Sequence, residues 1–499
     1  MKAKIWLANF LIIVISVLSV LGYGVYKLDP FFHYRKPDLE KYYYTLNNQR
    51  SQNDGICKHF DYDTLITGTS MTENFRTSEA DEMFGCNSIK VPYSGGSYKE
   101  INDNIERALI ANPNLKMIIR CLDMDNFFDS SNKMRLDLGE YPIYLYDDNL
   151  FNDVEYLLNR DVIFGRVYQM ILDSKKEGGQ TGITSFDDYS RWQESYVFGI
   201  NAVSPEGVTN ESMEQVHLTD EEKEIIKQNI SLNVINIAEK YPDVEFYYFY
   251  SPYSVVLWNK WKTRGKLYKV LEAEEYITKL IVPHKNIHLF SFNTRTDITT
   301  DLNNYKDNGH YATWINSLIL KWMRDEQYRL TEDNCEDYLK EVYEFYTTFD
   351  YTSINGQEDY EADFYAAALL NEELTGITPL NVLNSDNIVS VKNGGECIKD
   401  EEICSISFDV DLDEGYNYLY FEGQKITDSG MLVVYVYNSK GEIVEKKEIN
   451  YSDFDNEIHQ YVIDLSNVRG EINVVLNSGF IDSVEGFKSD YRFCEIYMY

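Results

Sequence analysis

The chain has 499 residues and a formal net charge of −36, with 44% hydrophobic and 15% aromatic residues. This length exceeds what one ordinary hydrophobic core accommodates, so we expect two or three domains. Because so acidic a surface repels phosphate backbones, nucleic acid is excluded as a predicted partner.

Residues 5–26 form an uncharged, mostly apolar run that follows Lys2 and Lys4. A helix of this length spans a hydrocarbon core of about 30 Å. A cleavable signal peptide is the alternative, but the run is long for one and no A-x-A site follows it. The sequence therefore predicts a cytoplasmic stub and transmembrane anchor over residues 1–28. We expect a single-pass protein of the cell membrane whose body is extracytoplasmic.

Five apolar runs rich in β-branched and aromatic residues come next, separated by helical patterns: 63–68, 88–94, 116–124, 244–253 and 286–292. This alternation predicts an α/β domain over residues 29–330, with a parallel five-stranded sheet between helices. No clear strand is visible from about 125 to 220. We interpret that interval as an insertion that forms a lid or a substrate wall.

The C-terminal part of the chain has a different pattern. Residues 331–384 are acidic and helical in pattern, and we interpret them as a connector. From about residue 385 the apolar period changes to two, with turn signals at Glu-Gly, Lys-Gly and Arg-Gly. This pattern is typical of an all-β sandwich, here over 385–499, and we regard it as a candidate carbohydrate-binding or docking module.

Polar residues follow the predicted strands, and ligands bind beyond the carboxyl ends of the strands in open parallel sheets. These positions hold a serine, a glycine pair, an asparagine and an Asp-x-x-His pair: Ser70, Gly95, Gly96, Asn126, Asp307 and His310.

The spacing of Asp307 and His310 has a chemical consequence. An aspartate three residues before a histidine at a helix entrance can hold the imidazole in one tautomer, while the other ring nitrogen takes the proton of Ser70. A glycine after the second strand lets a backbone N–H approach a developing oxyanion. A role for Ser70 as a helix N-cap would explain the turn but not the Asp307–His310 pair.

These residues resemble a known family. Gly-Thr-Ser after the first strand, Gly after the second and Asp-Asn-Gly-His after the last are similar to the motifs of SGNH/GDSL hydrolases, across about residues 60–325. The anchor and the segments "DPFFHYRKP", "TGTSMTENF" and "YPIYLYDDN" resemble the membrane-anchored branch of bacterial cell-surface polysaccharide modification proteins. That branch includes the D-alanyl transfer protein of lipoteichoic acid synthesis. The resemblance implies an SGNH-like, flavodoxin-like fold.

The resemblance also implies residue roles. Ser70 is the expected nucleophile, His310 the base and Asp307 its orienter. The expected oxyanion hole consists of the Ser70 N–H and a glycine at Gly95 or Gly96.

The third block of the family, usually Gly-x-Asn-Asp, is "LDMDNF" here. Asn126 is one candidate for the side-chain donor to the oxyanion, although Asp123 or Asp125 could occupy that place instead. Asn74, four residues after Ser70 on the predicted following helix, is a second candidate.

The implied function is that of a serine esterase or O-acyltransferase that acts on acetyl or D-alanyl groups through an acyl-enzyme. Its substrate would be a cell-surface polysaccharide or teichoic-acid-like polymer, with a membrane-bound acyltransferase as a candidate partner. The alternative is a non-catalytic SGNH-scaffold surface protein that binds glycan or organises a cell-envelope assembly complex. No cofactor and no metal ion are predicted.

Two cysteine pairs are candidates for disulfides in an oxidising compartment. Cys57 and Cys86 stand a few residues before the first two strands, whose starts share one edge of a parallel sheet, and we hypothesise a bond between them. Cys397 and Cys404 flank a predicted hairpin and form the second candidate pair.

Overall fold

In the computed structural model, the described residues are 2–136, 141–147, 149–176, 180–187, 189–190, 192, 196–357, 404–411, 418–425, 431–438, 443–450, 458–465, 471–478 and 491–498. The chain divides into two units, Met1–Ala362 and Asp363–Tyr499.

A six-stranded sheet forms the centre of the first unit. In chain order the strands of this unit are β1 (Tyr43–Tyr44), β2 (Thr64–Gly68), β3 (Ser88–Pro92), β4 (Met117–Cys121), β5 (Gly182–Ile183), β6 (Glu245–Tyr250), β7 (Ile287–Ser291) and β8 (Arg329–Leu330). The large sheet has the order β3-β2-β4-β6-β7-β8, and its first five strands run parallel.

These five parallel strands confirm the five strands predicted from the sequence. The predicted number of strands in this sheet, five, was wrong, because β8 adds a short antiparallel edge strand beside β7. A second difference lies in the insertion, where β5 pairs with β1 in a two-stranded parallel sheet. Both unpredicted pairings involve strands of only two residues, too short to produce an alternating pattern.

Successive connections leave β2 in opposite directions along the sheet, first towards β3 and then back towards β4. The chain passes from β2 to β3 through α3 (Thr77–Phe84), and then crosses back to β4 through α4 (Tyr98–Ala111). Because such crossovers are right-handed, the two helices lie on opposite faces of the sheet. The carboxyl ends of β2 and β4 therefore flank the topological switch point, where open α/β sheets bind ligands.

Local signals explain these element boundaries. Strand β2 is buried along its whole length, as its run of apolar and β-branched residues indicates. Helix α4 begins with a capping box, in which Ser97 Oγ accepts the Glu100 amide and the Glu100 carboxylate accepts the Ser97 amide. Helix α3 ends at Gly85, whose φ of 64° is the left-handed conformation that favours glycine.

The other helices of this unit surround the sheet and form the insertion. The α-helices are α1 (Lys2–Leu28), α2 (Gln49–His59), Val154–Leu157, Arg160–Val162, Tyr168–Ser174, Ile200–Val203, Asp220–Ile230, Asn236–Lys240, Val255–Thr263, Leu267–Ile281, Thr296–Thr299, Thr313–Arg324 and Cys335–Thr348. Ile163–Val167 and Ser231–Ile235 are π-helical turns. Short 3₁₀ turns span Ser70–Thr72, Met124–Asn126, Ile143–Leu145, Leu302–Asn304 and Tyr351–Gly356.

One helix among the described residues, Ala3–Leu28, is long and apolar enough to cross a membrane, with a mean hydropathy of 2.4. Length and composition alone allow either a membrane span or a signal sequence. Most of this helix is exposed, whereas Val25 and Leu28 near its C-terminal end are buried against the rest of the unit.

Cys57 and Cys86 are not paired, which contradicts the hypothesised disulfide. Cys57 lies in α2, which packs against α4, and its sulfur accepts a hydrogen bond from Asn104 Nδ2 at 3.3 Å. Cys86 follows α3 on the opposite face of the sheet, and its thiol donates to the Ala80 carbonyl at 3.5 Å. The two strand starts share an edge, but the helices before them lie on different faces. Cys397 lies outside the described residues.

The second unit contains two antiparallel sheets. Its strands are β9 (Cys404–Asp411), β10 (Tyr418–Lys425), β11 (Met431–Asn438), β12 (Ile443–Asn450), β13 (Ile458–Asp464), β14 (Glu471–Ser478) and β15 (Tyr491–Met498). One sheet has the order β13-β10-β15 and the other β12-β11-β14-β9. The face-to-face packing of a sandwich stays a prediction.

Candidate active site

Ser70 stands at the end of β2, where the chain turns sharply. The φ of Gly68 is 149°, and a Cβ atom on Gly68 would lie only 2.7 Å from Thr72 Cγ2, so a side chain there is excluded. Thr69 is buried and caps the following 3₁₀ turn by accepting the Met71 amide. The N-cap of this turn is therefore Thr69, which leaves the hydroxyl of the half-buried Ser70 free for another partner.

That partner is His310. Ser70 Oγ lies 2.8 Å from His310 Nε2, and His310 Nδ1 lies 2.8 Å from Asp307 Oδ2. The structure thus brings together three residues that are separated by up to 240 positions in the sequence. The order hydroxyl, imidazole, carboxylate is the arrangement in which a base activates a serine and an acid orients the base.

Asp307 and His310 lie in a hairpin, not at a helix start as the sequence analysis expected. An isolated bridge joins Tyr305 and Tyr311, and the next helix begins only at Thr313. Inside the hairpin, the Asp307 carboxylate accepts the His310 amide at 2.9 Å. This local turn bends the chain so that the imidazole of His310 returns to the same carboxylate.

The charge state of Asp307 follows from these contacts. Burial raises the pKa of Asp307, but the hydrogen bond to His310 and the amides of Gly309 and His310 outweigh it and lower the pKa to about 2. Asp307 is therefore a carboxylate at every ordinary pH. A fixed negative charge beside Nδ1 favours the tautomer in which Nε2 can accept a proton from Ser70.

Asp123 lies beside the same turn. Its carboxylate accepts a hydrogen bond from the Thr69 hydroxyl, so it bridges the ends of β4 and β2 at the switch point. Burial raises the pKa of Asp123 to about 6, although the Thr69 bond lowers it in part. The sequence left open whether Asn126, Asp123 or Asp125 fills the third block. In the structure, the Asp123 side chain contacts Thr69, the residue that precedes Ser70.

Gly95, Gly96 and Asn126 form one connected loop structure. The Gly96 amide donates to the Tyr93 carbonyl at 2.7 Å, and Asn126 Nδ2 donates to the Gly96 carbonyl at 2.9 Å. Gly95 is exposed and has a φ of 57°. Within the described residues, neither the Ser70 amide nor the Gly95 amide donates a backbone hydrogen bond. Of the two candidate glycines, Gly95 thus has the uncommitted N–H group.

Asn74 does not lie on a helix, because the 3₁₀ helix after Ser70 ends at Thr72. The Asn74 side chain is buried, and its amide nitrogen and oxygen have no partner among the described residues. A group without solvent access cannot contact a substrate in this conformation. Asn126, by contrast, lines an open cavity together with Gly95.

The insertion contributes a contact that sequence reasoning missed. The indole of Trp192 packs edge-on against the imidazole of His310, with ring centroids 5.1 Å apart. The ammonium of Lys306 lies 3.7 Å from the ring centroid of Trp192 and 3.8 Å from that of Tyr196. Lys306 directly precedes Asp307, and the aromatic run "RWQESYVF" in the insertion was the available signal.

A cavity of about 570 Å³ lies beside the segment that follows Ser70, although Ser70, Asp307 and His310 are not among the residues that line it. Glu73 lines it, and the Glu73 amide donates to the Ser70 carbonyl at 3.1 Å. Arg50 Nη2 and Arg135 Nη1 both donate to the Ser94 carbonyl at 3.3 Å, and all three residues line the same cavity. The cavity thus lies between the loops after β2 and β3 and the insertion.

Comparisons with known proteins identify no family. No family model matches the chain, and no curated protein does. A two-domain esterase active on acetylated mannans is 8% identical, covering 87% of this chain and 90% of that one, with a TM-score of 0.20. A putative platelet activating factor from Streptococcus pneumonia is 10% identical, covering 56% and 90%, with a TM-score of 0.28.

TmCBM61 in complex with beta-1,4-galactotriose is 16% identical and matches 19% of this chain, with a TM-score of 0.15. The chain covers 61% of that structure and 17% of an arabinose-bound α-L-arabinofuranosidase. At these TM-scores the likenesses carry no weight for the function.

Proposed function

We propose that this protein is a membrane-anchored, extracytoplasmic serine esterase or O-acyltransferase of the SGNH type. It acts on acyl groups of a cell-surface polysaccharide through an acyl-enzyme. The observation that carries the proposal is the continuous relay from Ser70 Oγ to His310 Nε2 and from His310 Nδ1 to Asp307. A serine that merely capped a helix would need neither partner.

In the proposed reaction, Ser70 Oγ attacks the carbonyl carbon of the substrate ester while His310 Nε2 takes the hydroxyl proton. The proposed donors to the oxyanion of the tetrahedral intermediate are the amides of Ser70 and Gly95, since neither donates a backbone hydrogen bond among the described residues. His310 then gives the proton to the departing sugar oxygen, which leaves an acyl group on Ser70. Water or a second sugar hydroxyl attacks this acyl-enzyme, again with His310 as base.

The nucleophile is tested with a fluorophosphonate probe, which labels activated serines irrespective of the natural acyl group. We expect the full chain in detergent to be labelled and the Ser70→Ala variant to remain unlabelled. Asp307→Asn is the matched control, because it keeps the shape of the relay but disfavours the productive tautomer. That variant should be labelled on the order of 10³- to 10⁴-fold more slowly. Equal labelling of wild type and Ser70→Ala would contradict the serine mechanism and favour the non-catalytic scaffold.

The cavity lined by Glu73, three residues after Ser70, supports a glycan as the substrate. Tyr141, Tyr144 and Tyr189 line it with half-buried rings, and Gln49 contributes an amide side chain. Sugars present C–H faces and a rim of hydroxyls, which such rings and amides contact together. The described lining contains no leucine, isoleucine, valine or phenylalanine, so it does not suit a long acyl chain.

Tyr144→Ala tests the glycan site. For an acetylated oligosaccharide, we expect KM to rise about two- to tenfold, the value of one lost aromatic contact. Turnover of a small chromogenic acetyl ester should stay unchanged, because such an ester does not reach the cavity. The matched control is Ile143→Ala, a neighbouring exposed residue that does not line the cavity. A parallel loss with both substrates, or an equal effect of Ile143→Ala, would contradict a glycan site here.

A further inference from the structure

The insertion exposes a set of large apolar side chains that the proposed chemistry does not use. Phe151 is 93% exposed, Leu150 75% and Phe164 58%. Single exposed apolar residues are ordinary on a protein surface, but a contiguous group marks an interaction site. We call the group the apolar stripe; it consists of Leu150, Phe151, Val154, Phe164, Tyr168 and Leu172.

Helical spacing aligns half of the apolar stripe. Phe164, Tyr168 and Leu172 are separated by four residues each along the continuous helical segment 160–174, so they project from one side of it. Val162, Val167 and Met170 on its other side are buried in the unit. The segment is therefore apolar on two sides, and the unit itself covers only one of them.

The same segment contacts the apolar helix α1. A methyl group on Gly22 would lie 3.4 Å from Leu158 Cδ2, and one on Gly24 would lie 3.8 Å from Val167 Cγ1. Close helix contact through small residues is the usual mode of packing for membrane-spanning helices. Two elements that carry stripe residues, Val154–Leu157 with Val154 and Ile163–Val167 with Phe164, therefore pack directly against α1.

The connection after α1 is rigid and also involves the insertion. Asp29 is buried with a φ of 49°, and its carboxylate accepts the amides of His33 and Tyr34 at 3.0 and 2.7 Å. The Tyr156 hydroxyl donates to the same carboxylate at 2.9 Å and accepts the Phe31 amide at 3.2 Å. The position of α1 thus fixes the position of the insertion.

The length of α1 determines where its C-terminal turns lie relative to the hydrocarbon core of a bilayer. The 26 residues of Ala3–Leu28 extend about 39 Å at 1.5 Å per residue, which exceeds a hydrocarbon core of about 30 Å. The last turns of α1 therefore reach the headgroup level, where tyrosines accumulate. Tyr23 and Tyr26 are exposed there, beside the glycines that contact the insertion.

We propose that the apolar stripe inserts into the interfacial layer of the bilayer that holds α1, so that the insertion rests on lipid. A bilayer is the occupant that this contact favours, because Val154–Leu157 and Ile163–Val167 pack against α1 and leave Val154 and Phe164 exposed beside it. This inference rests on the membrane-anchored placement in the proposed function, but not on its chemistry.

The test is quenching of tryptophan emission by lipids with brominated acyl chains, with the full chain reconstituted in phosphatidylcholine vesicles. Phe151→Trp adds a reporter to the stripe at a fully exposed position, so the substitution disturbs no packing. Ile225→Trp is the matched control at an exposed apolar residue on Asp220–Ile230. The difference between wild type and Trp6→Phe reports whether α1 itself is inserted.

We expect loss of the emission added by Phe151→Trp and of the Trp6 emission, with the emission added by Ile225→Trp retained. Quenching of Trp6 without quenching at residue 151 would overturn the stripe and leave the anchor intact. This is also the result expected if a protein partner covers the stripe. Quenching of neither would overturn the anchor together with the stripe. Equal quenching at residues 151 and 225 would overturn the assignment of lipid contact to the stripe.

Discussion

Asp123 is a buried carboxyl group one residue away from the chemistry, since its partner Thr69 precedes Ser70. Its hydrogen bond connects the end of β4 to the turn that holds Ser70, the proposed nucleophile. Its pKa is raised from 3.8 to about 6 in total, because burial and the nearby Asp125 raise it by more than Thr69 and His310 lower it. The folded protein therefore binds the Asp123 proton more tightly than the unfolded chain does.

This shift makes stability depend on pH in a defined direction. Because the folded pKa is above the unfolded one, the favourable contribution of Asp123 is complete below pH 4 and is lost as the pH rises through 6. The shift of about two units corresponds to about 3 kcal/mol in the free energy of unfolding. We expect Asp123→Asn to reduce the decline in that free energy between pH 4 and pH 6.5, measured by urea unfolding.

Thr69→Val provides the matched control for Asp123→Asn. It removes the hydroxyl that stabilises the charged carboxylate, so the pKa of Asp123 should rise and the loss of stability should extend to higher pH. Identical pH dependence of wild type and both variants would show that Asp123 does not titrate in this range. Asp307 acts in the opposite sense, since its lowered pKa gives stability that is lost only as the pH falls through about 2.

At the scale of elements, the insertion is joined to the hairpin of Asp307 and His310 by aromatic contacts. Trp192 packs against His310, and Lys306 lies against both Trp192 and Tyr196. A cation held against two rings is worth most when it is partly removed from water, as burial of Lys306 indicates. The insertion thus restricts the ring of His310 through the edge-on contact with Trp192.

Trp192→Ala should lower kcat for a small chromogenic ester on the order of tenfold or more, because small displacements of a catalytic group cost this much. KM for the same ester should change little, since Trp192 is buried and does not bind so small a substrate. Trp192→Phe keeps an aromatic edge against His310 and should restore most of kcat. Loss of kcat with a matching fall in Tm for both variants would instead indicate a purely structural residue.

The elements also differ in how far the sequence predicted them. The five parallel strands are long, buried and rich in β-branched or aromatic residues, so their pattern is local. Strand β8 has two residues and forms only because β7 offers a free edge. The hairpin of Asp307 and His310 depends on a bridge between Tyr305 and Tyr311, which no local pattern indicates. The spacing of Asp307 and His310 therefore predicts their contact, but it does not predict the hairpin that holds them.

The same distinction applies to the site as a whole. Parallel strands place their carboxyl ends at one edge, and this rule alone predicts that Ser70 and His310 approach each other. The contact with Trp192 requires the path of a long insertion, which the rule does not cover. The prediction of a Cys57–Cys86 disulfide was wrong for a related reason. The two cysteines precede strands that start at the same edge of the sheet, but they lie on opposite faces of it.

At the scale of the whole molecule, the net charge of −36 produces an electrostatic repulsion that destabilises the folded state. With 82 acidic and 46 basic side chains, most surface charges repel each other, and compaction increases this repulsion. Salt shortens the range of that repulsion from about 30 Å at 10 mM to about 8 Å at 150 mM. Ion pairs with a buried partner, such as Arg50 with Glu100, are screened much less.

Raising the ionic strength from about 10 to about 150 mM should therefore raise the midpoint of each thermal transition, since repulsion is screened over this range. Calorimetry of the full chain measures this, and the two units can unfold in separate transitions. Sodium chloride and choline chloride should act alike at equal ionic strength, because screening depends on charge and not on the identity of the cation. A fall in the midpoints would mean that attractive surface pairs outweigh the net charge. A shift with sodium chloride alone would indicate specific cation binding in place of screening.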